Sequence, residues 1–154
     1  MAFHWQEAES ALGLAADQPR QQMLFSALNI EHGDLKKRPW GWSRGMQQRF
    51  VIAMALIGTP EILVLDEPTS ALDPIVAAST MDLLDNLLER SGTAMLLITH
   101  DLGLAARRVK RFLVMHEGRI VEDAQTDALL ENPATPIAAS LIQHRSWLTL
   151  SCSP

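Results

Sequence analysis

An α/β fold, with a parallel sheet flanked by helices, is what three features of the sequence predict. The first is Glu61-Ile62-Leu63-Val64-Leu65-Asp66-Glu67-Pro68. Its four apolar residues in an unbroken run suit a strand buried on both faces of a parallel sheet, and two carboxylates close it before Pro68 stops the strand. The second is the helix that follows. Asp73 and Pro74 read as its cap and first residue, and Ala77, Met81, Leu84 and Leu88 recur at i, i+4, i+7 and i+11 as a core stripe. The third is Ala94 to Thr99, which reads as the next buried strand once Ser91-Gly92 has closed that helix near Arg90.

Length and composition narrow the function classes. A chain of 154 residues suits one domain, and folding would remove ~70% of the unfolded surface. The net charge is −5, which argues against a broad basic face for nucleic acid. Cys152 is the single cysteine, so no disulfide forms within the chain and a reducing compartment fits. The opening Met1-Ala2-Phe3-His4-Trp5 lacks the basic and apolar regions of a signal peptide. The longest apolar run, Phe50 to Ile57, is far short of the ~20 residues of a membrane span. Any membrane role is expected to come through a partner.

Along the chain, Glu7 to Leu14 reads as a short helix ending near Gly13. Asp17 with Pro19 opens a second, carrying Met23, Leu24, Ala27, Leu28 and Ile30 on one side before Gly33. Lys36-Lys37-Arg38 is a basic cluster of the kind found in solvated turns. Ser43 is an N-cap for a helix running to about Ile57, ended by Gly58 and Pro60. Such a helix start, with a serine hydroxyl and a glycine amide, is an anion site. After the second strand, His100 lies at its carboxyl edge and Asp101 is placed to cap the next helix. Arg111 to Met115 forms a strand, Glu117-Gly118 a tight turn, and Arg119-Ile120-Val121 its return. Thr126 begins a short helix through Leu130, broken by Asn132-Pro133. Pro136 starts a last helix with Ile137, Leu141 and Ile142 facing inward. His4, His32, His116 and His144 show no metal-ligand spacing. The end of the chain, 146–154, reads as a tail.

Open α/β sheets bind their ligands at the carboxyl edge of the strands. Two acids there can divide labour in phosphoryl transfer, Asp66 holding Mg²⁺ and Glu67 polarising the attacking water.

Taken together, Ser43-Arg44-Gly45-Met46-Gln47-Gln48-Arg49, then Glu61 to Pro74, then Ile98-Thr99-His100-Asp101 resemble the ATP-binding-cassette (ABC) ATPases. They stand in that family's order as signature, Walker B with D-loop, and switch histidine. The resemblance covers Leu35 to Gln143. It implies a partial P-loop NTPase fold with a helical subdomain portion over 1–42, the carboxyl-terminal part of the ATPase core over 43–145, and the tail. It also implies ATP and Mg²⁺ as cofactors. Glu67 and His100 are then the catalytic residues, Asp66 the Mg²⁺ ligand, and Ser43, Gly45 and Asp73 nucleotide contacts, with the signature gripping ATP bound by the opposite subunit. The implied partners are a second ABC ATPase subunit, identical or different, and membrane permease subunits at the cytoplasmic face of the membrane. No nucleic-acid partner is implied.

Two departures matter. The signature of this family is usually Leu-Ser-Gly-Gly-Gln; here Trp42 replaces the leucine and Arg44 the first glycine. A Cβ and long side chain obstruct the close backbone approach that glycine permits, although the guanidinium offers a phosphate contact of its own. In addition, a phosphate-cradling loop needs Gly-x-x-x-x-Gly-Lys-Ser/Thr, and no Gly-Lys pair occurs in the chain. The expected fold therefore lacks the Walker A strand and loop, leaving Asp66 and Glu67 as a catalytic half-site. Gly118-Arg119-Ile120-Val121-Glu122 and Asn132-Pro133 resemble the end of the peptide, opine and nickel importer branch. The leading expectation is thus part of an ATP-binding subunit for solute import, inactive alone. A degenerate, non-catalytic module that pairs with an intact ABC ATPase is the alternative, and a chromosome-maintenance ATPase is disfavoured because long heptad arms are absent.

Overall fold

The computed structural model describes residues 2–70 and 72–143. The segment 146–154, read as a tail, lies outside the described residues. The chain divides into two compact units, one up to Ile98 and one from Thr99 onward.

In the first unit, helix α1 spans Ala2–Ala11 and α2 spans Gln18–Ala27. Helix α1 starts earlier than Glu7, and Gly13 ends its turn with φ +66°, where glycine meets no Cβ penalty. Asp17 caps α2 by accepting the amide of Arg20 at 3.0 Å. The buried side of α2 is Leu24 and Phe25, continued by Leu28 and Ile30, while Met23 is exposed. The predicted side therefore holds at Leu24, Leu28 and Ile30, with Phe25 buried in place of Met23. Phe25 turns inward because its ring sits edge-on to Trp5 at 4.8 Å and tilted to Phe50 at 6.0 Å.

Helix α3, Arg44–Ala55, begins at the Ser43 cap and reaches Phe50 into this aromatic cluster. Its carboxyl end is held by Arg20, whose Nε and Nη2 donate to the carbonyls of Ile57 and Leu56 at 2.6 and 2.7 Å. These are the orphan carbonyls that a helix leaves at its end. Strand β1, Ile62–Asp66, pairs in parallel with β2, Ala94–Ile98, in the register Ile62↔Ala94 to Asp66↔Ile98. Between them α4, Pro74–Ser91, buries Ala77, Met81, Leu84 and Leu88 as its spacing predicts. Gly92 closes α4 in the left-handed conformation at φ 69°.

The expectation of strands buried on both faces is not met. Leu63 and Leu65 are buried, whereas Ile62, Val64, Leu96 and Ile98 are exposed. Side chains alternate across a strand, and the packing layer of this unit lies on one side of the sheet only.

In the second unit, α5 (Leu102–Ala106) is followed by β3 (Arg111–His116) and β4 (Arg119–Gln125), which form an antiparallel hairpin. Glu117 and Gly118 both take positive φ, 47° and 74°, as a two-residue hairpin turn demands. Helices α6 (Thr126–Glu131) and α7 (Pro136–Gln143) complete the unit. Val114, Leu129 and Ala138 make its core, with Ile137 and Ile142 packed against them. Leu141, predicted to face inward, is exposed instead; Ala138, one turn earlier on α7, takes the buried position.

Candidate functional site

The paired acids stand where their strand ends. Asp66 is the last residue of β1 and is exposed. Glu67 follows half-buried, with its amide donating to the carbonyl of Ile98 at 2.9 Å, so the edge is tied to β2 beyond the last ladder residue. Its φ is 46°, a left-handed conformation that costs a non-glycine residue about 1–2 kcal/mol. Such outliers persist where the surroundings over-determine them, and they concentrate at functional sites. Its carbonyl then accepts the amide and the hydroxyl of Ser70, at 3.2 and 3.1 Å, closing the turn that leads to α4.

Asp73 caps α4, its carboxylate accepting the amides of Ile75 and Val76 at 3.2 and 3.0 Å. Ser43 does the same for α3, accepting the amide of Met46 at 3.2 Å. Both caps are exposed, and so is Arg44, the first residue of α3. Gly45 is different. It is buried, and a Cβ on it would lie 2.6 Å from Cγ1 of Val76 and 4.0 Å from Cδ2 of Leu72. The start of α3 therefore rests on the start of α4, and only glycine admits that approach.

Trp42, in the place of the usual leucine, is buried. Its indole donates to the carbonyl of Asp34 at 2.9 Å and its ring meets Phe50 edge-on at 5.3 Å. Arg49 fastens the same helix, donating through Nε to the Gly45 carbonyl at 3.2 Å.

His100 belongs to the second unit. It is exposed just after β2, and its carbonyl accepts the amide of Leu102 at 3.1 Å. Asp101 caps α5 as predicted, accepting the amide of Leu104 at 2.9 Å. Thus Asp66, Glu67, Ser43, Gly45 and Asp73 share one unit, with direct packing between the α3 and α4 starts, and His100 belongs to the other.

Sequence reasoning missed Val76 and Leu72 as the floor under Gly45, and the strained Glu67 backbone. The first had no local signal. The second had none either, since a following proline such as Pro68 favours an extended, negative-φ residue before it rather than the positive φ of Glu67. Among the described residues no group of three or more His, Cys, Asp or Glu side chains assembles into a metal site. A Mg²⁺ completed by phosphate oxygens and water needs only one or two carboxylates, and Asp66 is a donor of that kind.

Comparison with known proteins defines the class. The family model for ABC transporters matches residues 4–70. A Sinorhizobium fredii protein described as "Probable peptide ABC transporter ATP-binding protein" is 45% identical over 108 residues, which is 70% of this chain and 32% of that protein. Two solved dimeric structures of the ATP-binding cassette MJ0796, one of them bound to ADP and Pi, match with a TM-score of 0.63 at 28 and 29% identity. Each match covers 73% of this chain and 50% of the cassette. The fold is that of an ABC ATPase, represented in part. This chain is a segment of the ABC transporter family and resembles proteins of its peptide importer branch. It spans about a third of the length of the curated relatives it matches, and half of the solved cassettes.

Proposed function

We propose that this chain supplies the signature, Walker B, D-loop and switch-histidine half of a cassette that couples ATP hydrolysis to solute import, of the peptide type. Asp66 holds Mg²⁺, Glu67 polarises the attacking water, and His100 contacts the γ-phosphate. Ser43, Gly45 and Asp73 serve the nucleotide bound by a second ABC ATPase subunit. Membrane permease subunits hold the assembly at the cytoplasmic face. The observation that carries the reading is the end of β1. There two adjacent carboxylates sit at a strand's carboxyl edge, and the second is held in a strained conformation by the Ile98 carbonyl and the Ser70 turn. That is the placement from which one acid can reach a metal and its neighbour a water.

No helix among the described residues is long and apolar enough to cross a membrane, which is consistent with attachment through permease subunits. The phosphate-cradling loop has no counterpart in this sequence, so hydrolysis is assigned to an assembly that provides one. The test is phosphate release from Mg-ATP by this chain joined with the portion of the Sinorhizobium fredii relative that precedes its matched residues. Turnover is expected, and Glu67→Gln is expected to lower it by about 10²-fold or more while nucleotide binding persists. Turnover that survives Glu67→Gln would remove Glu67 from its role. Absence of turnover in an assembly that binds ATP would favour the non-catalytic module.

A further inference from the structure

From Lys36 to Arg49 the chain carries five cations and no acid, against a net charge of −5 overall. The same stretch holds Trp40, 77% exposed and the most exposed aromatic side chain among the described residues. Trp40 is the middle residue of a single 3-10 turn, Pro39–Gly41, closed by the Gly41 amide donating to the Arg38 carbonyl at 2.8 Å. Arg38 lays its guanidinium over the indole, 5.1 Å from the ring centroid. One face of the ring is thus capped by a cation, and the other is open to solvent. Trp42, two residues on, is anchored inward by its bond to the Asp34 carbonyl, and its own carbonyl accepts the Gln47 side chain at 3.3 Å. The turn is therefore tied to the first turns of α3. Trp40 stands three residues before Ser43, so the two are no more than ~11 Å apart along the backbone. Lys37 is committed to Asp34 at 2.6 Å, whereas Lys36, Arg38 and Arg44 are the other exposed charges of this stretch.

An exposed indole with a free face is a stacking platform, and stacking on aromatic side chains holds bases without reading their edges. We propose that Trp40, backed by Arg38, stacks the adenine of a nucleotide whose phosphates meet the start of α3. The placing of the phosphates at Ser43 and Gly45 rests on the proposed function; the base contact goes beyond it. The stretch has the charge to draw a polyanion, and the separation of Trp40 from Ser43 lies within the length of one nucleotide. A membrane surface fits less well. The exposed neighbours of Trp40, which are Lys36, Arg38, Gly41 and Arg44, offer no second apolar side chain to enter a bilayer. An acidic protein segment would pair with the cations but leave the flat face of the ring unused.

The test titrates the purified chain with Mg-ATP, and separately with inorganic triphosphate, while following the indole N–H resonances. The signal missing from Trp40→Ala identifies Trp40. Weak binding of ATP is expected, with the Trp40 resonance shifted by the ring current of the stacked purine and not by triphosphate. Trp40→Ala should weaken ATP binding by about fivefold or more, leave the response to triphosphate unchanged, and be largely rescued by Trp40→Phe. Trp40 is exposed, so the variants are expected to fold, which far-ultraviolet circular dichroism checks. Phe3→Ala, which removes an aromatic side chain 66% exposed on α1, should leave ATP binding unchanged. No ATP binding, an affinity indifferent to Trp40→Ala, or an equal loss for triphosphate would each overturn the proposal. So would a Trp40 resonance that moves with phosphatidylglycerol vesicles and not with ATP. Phosphate release by the assembled enzyme is read separately, and there Trp40→Ala should raise KM for ATP and spare kcat. ATP binding that depends on Trp40 in an assembly without turnover refutes the catalytic reading and leaves the base contact standing. Turnover that needs Glu67 but has a KM indifferent to Trp40→Ala does the reverse.

Discussion

Arg44 stands exposed at the first helical position of α3, beside a serine whose hydroxyl is committed to the cap. Its side chain is not part of the packing that holds the helix, since the buried contact is made by Gly45 next to it. Any effect of Arg44 on a nucleotide is therefore separable from stability. In an assembled enzyme, Arg44→Gly is expected to raise turnover by up to about tenfold, equivalent to about 1.4 kcal/mol, by restoring close backbone approach. Steady-state phosphate release checks it, and a fall would show that the guanidinium is a phosphate ligand. Glu122 is the contrasting residue, a buried acid with a structural role. Its carboxylate accepts the amides of Ala134 and Thr135, both at 2.9 Å, and the Thr135 hydroxyl at 2.8 Å. These bonds, the Ala134 amide foremost, hold its pKa below the usual carboxylate range against the opposing effect of burial. A lowered folded pKa means stability that is present above the unfolded value of about 4.3 and lost as pH falls through the folded one. Thermal melts below about pH 5 should therefore lose stability in the native chain. Glu122→Gln should melt lower at neutral pH and show a weaker acid dependence; an unchanged melting temperature at pH 7 would dismiss the anchor.

Among the elements, the start of α3 at Gly45 rests on the start of α4 at Val76. Alanine is favoured over glycine within a helix by up to about 1 kcal/mol, so Gly45→Ala would stabilise if space were open. With Val76 Cγ1 at 2.6 Å from the added carbon, the opposite sign is expected. Overpacking of this kind costs typically about 1–3 kcal/mol. Val76→Ala removes the opposing methyl groups and should recover part of the loss, a coupling that urea denaturation of the two single variants and the double variant would reveal. Additive effects would mean the helices do not rest on each other at that point. The same elements show what local pattern conveys. The caps at Asp17, Ser43, Asp73 and Asp101 all form as their sequence positions predict, because a cap bond reaches only two or three residues along the chain. On the α2 side, Leu24, Leu28 and Ile30 are buried as their spacing predicts, and only Phe25 departs, drawn inward by Trp5 and Phe50, which are distant in sequence.

For the molecule as a whole, the central expectation is that the chain alone turns over ATP no faster than background. Correct positioning of reactants is worth about 7–11 kcal/mol of a barrier, and the sequence holds no Gly-Lys pair of the kind a phosphate-cradling loop uses to supply it. Phosphate release from the purified chain, with Glu67→Gln as control, measures this directly. Turnover that disappears in the control would show that the chain positions the nucleotide by other means.

The sequence by itself determined the order of elements, the end of the first strand at Asp66, the helix caps, the Glu117-Gly118 turn and the family. All of these are written in short-range patterns or in motif order, and the family and partial fold agree with the 45% identity to a peptide transporter ATP-binding protein and with the solved cassettes. Only the tertiary structure decided three things. It buried Gly45 against Val76, it bent Glu67 into a positive φ under the hold of Ile98 and Ser70, and it left one face of the β1–β2 pair uncovered. An apolar run such as Ile62 to Leu65 reports that a strand seeks burial on both sides. Whether material stands on both sides depends on which other elements are present to pack there.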